Sequence, residues 1–71
     1  MLHLEADIYD YDGKYLSSDI DDMQYRYFEE AHAAMIDIAK SYGKIRVHTP
    51  DGRKVVVQDM DNYYVITIVD D

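Results

Sequence analysis

The chain has no cysteine and no tryptophan, and only one phenylalanine, one proline and three glycines among its 71 residues. Without cysteine it can form neither disulfides nor thiolate metal sites, which suits a reducing compartment. No apolar run approaches the roughly 20 residues of a membrane-spanning helix, and the N-terminus alternates where a signal peptide would have an apolar block. We therefore expect a soluble, intracellular, cytoplasmic protein.

The groups that catalysis requires are also scarce. The three serines are scattered, and no glycine-rich loop is present to cradle a phosphate. His3 and His48 fall on the polar sides of two predicted strands and could meet across a sheet, but a zinc site would need further ligands. Neighbouring acids on a helix point in different directions and form no acid–base dyad. We expect no enzyme activity, no cofactor and no metal.

One acidic segment, Asp10-x-Asp12-Gly13, resembles part of a calcium-binding loop. With Gly13 at the sixth position of an EF-hand loop, Ile8 would be first and Asp19 twelfth, so the leading acid and the bidentate glutamate are both missing. A strand also precedes the segment where a helix should. Asp-Gly between two tyrosines instead indicates a type I′ hairpin turn.

Hydrophobic periodicity predicts five strands and one helix. The predicted strands are Leu2 to Tyr11, Lys14 to Leu16, Lys44 to His48, Arg53 to Gln58, and Tyr63 to Val69. The order β, short β, α, β, β, β is typical of a two-layer α+β fold, with one long helix on a mostly antiparallel sheet of four main strands. We expect a single domain, 1–71. The last strand is apolar on both sides, so it should lie centrally, between the first strand and the rest of a C-terminal meander.

The segment from Ser18 to Tyr42 carries the only sustained helical periodicity. Ser18 has the residue type of an N-cap, and the helix dipole alone could explain three aspartates in the first turn. Gly43 stands where a left-handed residue should end the helix. The expected core stripe consists of Ile20, Met23, Tyr27, Ala31, Ala34, Met35, Ile38 and Tyr42. A second apolar row consists of Tyr25, Phe28, His32, Ile36 and Ala39.

This second row makes the apolar arc of the helix roughly 200° wide, whereas a surface helix needs only a little over 100°. A homodimer with paired helices would bury the excess. Self-association as a small structural or adaptor domain is therefore one hypothesis for the function.

The 15 acids and 7 bases give a formal charge of −8. Residues 1–37 hold ten acids and two bases, while residues 38–71 hold five of each, so the net charge lies in the N-terminal half. Such a field repels nucleic acid and anionic lipid and attracts basic protein surfaces. The alternative is that the charge only keeps a small protein soluble.

Eight tyrosines accompany these acids. Tyrosine is enriched at interfaces, where its ring can stack on guanidinium groups, although some of the eight must be core residues in a chain with so few other aromatics. We predict a partner-binding surface built from acidic, aromatic and apolar residues of the hairpin and the helix. Its residues are Asp10, Tyr11, Asp12, Tyr15, Asp19, Asp21, Asp22, Tyr25, Glu29, His32 and Ile36.

In size, acidity, tyrosine content and single-helix α+β layout, the chain resembles the small phage-encoded inhibitors, among them several anti-CRISPR proteins and other DNA mimics. The resemblance implies a protein that acts in the host cell and occludes a basic nucleic-acid channel or locks an effector subunit. It spans the whole chain loosely and carries over no functional residue by motif. The leading hypothesis is thus a non-enzymatic inhibitor of a basic, nucleic-acid-handling protein, with no direct binding to nucleic acid or membrane.

Overall fold

Five strands and one helix account for most of the chain in a computed structural model that describes residues 1–71. In chain order they are β1 (Leu2–Asp10), β2 (Tyr15–Ile20), α1 (Phe28–Tyr42), β3 (Lys44–His48), β4 (Lys54–Gln58) and β5 (Asn62–Asp70). The helix is neither long nor apolar enough to cross a membrane. One helix on one sheet is the α+β fold that the sequence predicts.

All strand pairs in the sheet are antiparallel, and the strands lie side by side in the order β2, β1, β5, β4, β3. The central place of β5, between β1 and the meander, is therefore confirmed. This segment is rich in β-branched and aromatic residues, which pack well on both faces of an inner strand. The two outermost strands are β2, which is exposed throughout, and β3.

The first turn holds β1 and β2 together through one side chain. The Asp10 carboxylate accepts hydrogen bonds from the backbone N–H groups of Asp12 at 3.0 Å and Lys14 at 2.9 Å, and Gly13 has a φ of 86°. This confirms a turn at Asp12-Gly13, with Asp10 as its anchor. The predicted type I′ is wrong, because that type needs a positive φ at both central residues and Asp12 does not have one. The return strand is longer than predicted and runs to Ile20.

The helix begins at Phe28, ten residues after the predicted start at Ser18. Ser18 lies in β2, where its hydroxyl donates to the Asp7 carboxylate at 2.6 Å. After Ile20 the chain stays beside β1 until Tyr25, which exchanges backbone hydrogen bonds with Leu2 at 2.7 and 2.8 Å. Pairing with β1 satisfies backbone groups along this edge, and this outweighs the local helix signal. The predicted N-cap at Ser18 is wrong.

The core lies between α1 and the face of the sheet that α1 covers. Its buried residues are Leu2, Leu4, Ala6, Ala31, Met35, Ala39, Val55, Val57, Ile66 and Ile68. The helical half of the predicted stripe is confirmed, because Ala31 and Met35 have no exposed surface. The first part of the stripe is wrong: Ile20, Met23 and Tyr27 lie before the helix, and each is 59% exposed.

The predicted uncovered row on the helix is also wrong. Ala39 is fully buried, and Phe28 and Ile36 pack against the core. Because the helix sits on the β4 and β5 side of the sheet, its broad apolar arc is largely covered within one chain. Helix pairing between two copies therefore loses the feature that suggested it.

Gly43 ends the helix, as predicted, but not in a left-handed conformation. Its φ of 169° is extended, and its N–H donates to the Ala39 carbonyl at 3.1 Å. The position requires glycine for a different reason: a Cβ there would lie 2.3 Å from the Gln58 carbonyl oxygen. The helix end and β4 thus meet backbone to backbone.

Candidate functional site

A groove of about 500 Å³ opens between the C-terminal half of α1 and strand β2. It exists because α1 contacts β1, β3, β4 and β5 but not β2. The helix is seated away from that edge, so the groove lies above β1, whose helix-facing side chains Leu4 and Ala6 are themselves buried in the core. The hairpin partner β2 stands along the far side.

The floor and the helix wall of the groove are apolar. Leu4, Ala6 and Ile66 form the floor, and Ile38 and Tyr42 form the wall. Tyr42 is held in place by stacking on Tyr64, with ring centroids 4.6 Å apart and planes 10° from parallel. A side chain that enters the groove would therefore meet fixed apolar surface, which is how binding sites bury an anchor.

The opposite rim of the groove is acidic and consists of Asp19, Asp21 and Asp22. Asp19 lies in β2 opposite Ala6, on the side of the sheet that faces α1. The backbone N–H of Asp21 donates to the Leu4 carbonyl at 3.0 Å, which fixes the chain against β1. The chain continues alongside β1 after the end of β2. This places three carboxylates within four residues at the edge of the groove.

Asp21 is the anchored member of this rim. Its carboxylate accepts from the backbone N–H of Met23 at 3.1 Å and from the Tyr25 hydroxyl at 3.2 Å. Burial raises the pKa of the Tyr25 hydroxyl, and the neighbouring Asp21 charge adds to this rise. Tyr25 therefore remains a neutral donor to Asp21 and holds one carboxylate in a fixed direction.

No cation of the chain neutralises this rim. Ion pairs within 4.0 Å occur only at His3, with Glu5 and with Asp71. Every lysine and arginine therefore lies farther than that from the three rim carboxylates. Their negative potential extends into the groove and into solvent, where it would favour a cationic ligand group.

The predicted binding residues separate into three places in the fold. Only Asp19, Asp21 and Asp22 line the groove. Asp10, Tyr11, Asp12 and Tyr15 lie in the first hairpin, where Asp10 is occupied by the turn. Tyr25 lies before the helix, and Glu29, His32 and Ile36 lie within it, outside the groove lining.

The hairpin tyrosines turn away from the groove. Tyr15 packs edge-on against Tyr9, with ring centroids 5.9 Å apart, on the side of the sheet opposite α1. Tyr11 packs edge-on against Tyr63 at 4.8 Å, and its hydroxyl donates to the Asp59 carbonyl. These two residues cannot act together with the rim carboxylates on one small ligand, as the sequence prediction had grouped them.

The histidines pair differently from the sequence prediction, which brought His3 and His48 together. His48 instead meets His32 of the helix, with their Nε2 atoms 3.0 Å apart, and the His32 ring stacks on Phe28. His3 lies at the other end of the sheet, next to Asp71. No group of three or more histidine, aspartate and glutamate side chains is arranged so that it could hold a metal ion.

The His3 ring joins the first strand to the C-terminus. Its Nε2 lies 2.6 Å from the Glu5 carboxylate and its Nδ1 lies 2.6 Å from the Asp71 carboxylate, while the side chain is 14% exposed. Only the protonated ring can donate from both nitrogens. The hydrogen bond to Glu5 raises the pKa of His3, against the opposing effect of burial, and the Asp71 charge adds to the rise.

This contact predicts a pH-dependent stability. Because the folded pKa of His3 is raised above its unfolded value of 6.5, its contribution is fully present below about pH 6.5 and is lost as the pH rises through the folded pKa. We expect the melting temperature of His3→Gln to fall below that of the wild type most strongly in acid. Thermal melts across the pH range, with NMR titration of the ring, measure this. A difference that stays constant with pH would contradict it.

Several parts of the site have no signal in the sequence. The bottom of the groove consists of residues that the alternation assigns to the core, but the open space above them depends on the position of α1, which the sequence does not predict. The acidic rim was predicted as the first turn of a helix.

Comparison with protein-family models, curated proteins and solved structures found no match to this chain.

Proposed function

We propose that this protein is a non-enzymatic binding protein whose groove receives a basic segment of a partner protein. The observation that carries the proposal is the rim of carboxylates without counterions opposite the apolar wall of Ile38 and Tyr42. A lysine or arginine has both parts that such a site requires, an apolar stem and a charged head. The stem would pack on Ile38 and Tyr42 of the helix wall, which are only partly buried, and the head would lie between Asp19 and Asp22.

The proposed partners are proteins that handle nucleic acids. Their basic channels carry the lysines and arginines that such a groove would bind. Carboxylates that occupy these cations take the place of phosphates, so the partner could not hold nucleic acid at the same surface. Inhibition by occlusion is therefore the proposed consequence of binding, as the resemblance to small phage-encoded inhibitors implies.

A capture experiment from cell lysate tests the class of partner. The tagged protein is used as bait with and without nuclease, and bound proteins are identified by mass spectrometry. We expect basic nucleic-acid-handling proteins to be recovered in both arms, because the contact is to protein and not through nucleic acid. Recovery only in the arm without nuclease, or recovery of the bait alone, would contradict the proposal.

Two matched double variants test the groove itself against the captured partner. Asp19→Asn with Asp22→Asn removes the two rim carboxylates that anchor no turn, and Asp37→Asn with Asp61→Asn removes two exposed carboxylates elsewhere. Both change the formal charge from −8 to −6. We expect the rim pair to raise the dissociation constant about tenfold or more, and the control pair by less than about threefold.

Salt and DNA provide two further readouts of the same complex. The dissociation constant should rise between about 50 and 300 mM salt, since exposed charge pairs are screened over this range. A short DNA duplex should compete with the protein for the partner. Equal effects of the two double variants, or affinity that does not respond to salt, would contradict an electrostatic groove.

A further inference from the structure

The face of the sheet opposite α1 has no element packed on it, and we call it the open face. The register places the odd-numbered residues of β1 and β5 there, together with the even-numbered residues of β4. Antiparallel sheets with one solvated face usually carry polar residues on that face. Here a band of apolar and aromatic residues runs across all five strands. Its residues are Tyr15, Tyr9, Tyr63, Val65, Val56 and Val47.

The members of this band are adjacent and not scattered. Tyr15, Tyr9 and Tyr63 stand in one row across β2, β1 and β5, and Val65, Val56 and Val47 stand in the next row across β5, β4 and β3. Tyr15 is 53% exposed and Val47 is 51% exposed. The four residues between them are partly buried, and Tyr63 also contacts the Tyr11 ring. A contiguous apolar band with exposed ends is typical of an interaction surface.

The charges on the open face are divided between its two sides. Glu5 and Asp7 lie on β1, whereas Lys44 lies on β3 and Lys54 on β4, with β5 between the two sets. Neither lysine has a carboxylate within 4.0 Å, since all such contacts involve His3. His3 also lies on the β1 side, where its ring contacts Glu5 at 2.6 Å, so this side carries two carboxylates and one histidine. The middle of the face is apolar, and the other side is basic.

The charges on the open face can pair with those of a second copy when the two copies are related by one particular two-fold axis. A two-fold axis parallel to β5 places β1 of one copy over β4 of the other, and β2 over β3. Glu5, Thr67 and Lys54 share one row of the register, so the axis brings Glu5 of each copy opposite Lys54 of the other. An axis perpendicular to the strands would instead place acids over acids.

We propose that two copies of this chain pack open face to open face about a two-fold axis parallel to β5, burying the apolar band between them. Aligned packing of two antiparallel sheets is the arrangement of β-sandwiches, with side chains interdigitating over about 10 Å. The two helices then lie on the outside of a four-layer dimer. The groove between α1 and β2 opens on the helix side of each sheet and stays accessible.

The size of the open face sets the expected strength of the dimer. Five strands spaced by about 4.8 Å, with a mean length of about 22 Å, make a face on the order of 500 Å² per copy. Stable specific interfaces bury about 800 Å² per partner, so this one falls at the low end. We expect a reversible dimer with a dissociation constant on the order of 10 µM.

Sedimentation equilibrium of the whole chain tests the proposal. Over about 1 to 300 µM, at an ionic strength of about 0.15 M, the mass should rise from that of the 8.3 kDa chain towards twice that value. Val65→Lys places a charge at the centre of the band next to Asp7, where the folded monomer accepts it. We expect this variant to stay monomeric throughout while its circular dichroism is unchanged.

A charge exchange tests the orientation of the two copies. Glu5→Lys and Lys54→Glu should each raise the dissociation constant about tenfold, and the two together should restore affinity to within about threefold of wild type. Asp37→Lys and Lys40→Glu, on the exposed side of α1, make the same changes in net charge and should leave the dissociation constant unchanged.

Three results would contradict the proposed two-fold dimer through the open face. A chain that remains monomeric at the highest concentration has no such interface. A dimer that tolerates Val65→Lys uses another surface, such as the edge of β2. A dimer that is lost in Val65→Lys but is not restored by the charge exchange uses the open face with a different axis.

Discussion

Met35→Ala should lower the free energy of unfolding by about 2–5 kcal/mol. Met35 has no exposed surface and is the largest fully buried side chain, at the middle of α1 where the helix meets the sheet. Truncation removes apolar contacts and leaves a cavity that a single layer of helix cannot easily fill. A domain of 71 residues has a total stability of roughly 4–11 kcal/mol, so this one change removes about half of it.

Urea unfolding followed by circular dichroism measures the effect. Met35→Leu is the matched control, because it keeps the volume and should cost less than about 1.5 kcal/mol. The melting temperature of Met35→Ala should fall by about 10–30 °C, as expected for a domain of this size. A loss below about 1 kcal/mol for the alanine variant would mean that the helix is not seated on the sheet as described.

The seating of the helix also decides whether the groove exists. Ala31, Met35 and Ala39 follow one line along α1 and press it onto the β1, β4 and β5 part of the sheet. If the helix were centred over β1, it would fill the space beside Leu4 and Ala6 that now forms the groove. The position of α1 on the sheet thus determines both how the core packs and whether the proposed binding groove is open.

Much of the sheet could be predicted because its signals are strong and agree with one another. Leu2, Leu4 and Ala6 alternate with polar residues, and the last strand is apolar on both sides, as an inner strand must be. The hairpin turn at Asp10 brings the first strand into an orientation that allows antiparallel pairing with the last. Strand order followed from these few constraints.

The N-terminal part of the predicted helix failed because two local signals competed. Ser18 followed by Asp21 resembles a capping box, and the apolar residues after it keep helical spacing. Yet β1 is nine residues long, and its outer edge would be left without backbone partners if the return strand stopped at Leu16. Pairing of β2 with Glu5 to Ile8 gives those backbone groups hydrogen-bond partners. These hydrogen bonds form between distant parts of the chain, so the local sequence of residues 15–27 does not indicate them.

The same failure changed the interpretation of the acids. On a helix, Asp19, Asp21 and Asp22 would be explained by the helix dipole; beside β1, that explanation no longer applies. Acidic side chains on an edge strand do also prevent unwanted pairing with other strands, which accounts for part of the charge in β2. It does not account for the rim beyond the strand, where Asp21 is held by Tyr25 and Asp22 is free in solvent.

Gly43→Ala is expected to be the other strongly destabilising change, at about 3 kcal/mol. A Cβ at this position would lie 2.3 Å from the carbonyl oxygen and 2.9 Å from the carbonyl carbon of Gln58. Both are backbone atoms of β4, so no side-chain rotation can relieve the clash. Because the φ of 169° is extended, alanine pays no conformational penalty there, and the whole effect is steric.

Gly13→Ala separates this steric effect from the ordinary cost of losing a glycine. Gly13 has a φ of 86° and nothing within 4 Å of its Cβ position, so its substitution should cost only the left-handed penalty of about 1–2 kcal/mol. Urea unfolding of both variants should therefore rank Gly43→Ala as the less stable. Gly43→Ala should also weaken partner binding, because a helix end that moves away from β4 displaces Tyr42 at the groove wall. Equal stability of the two variants would place Gly43 farther from Gln58 than the structure does.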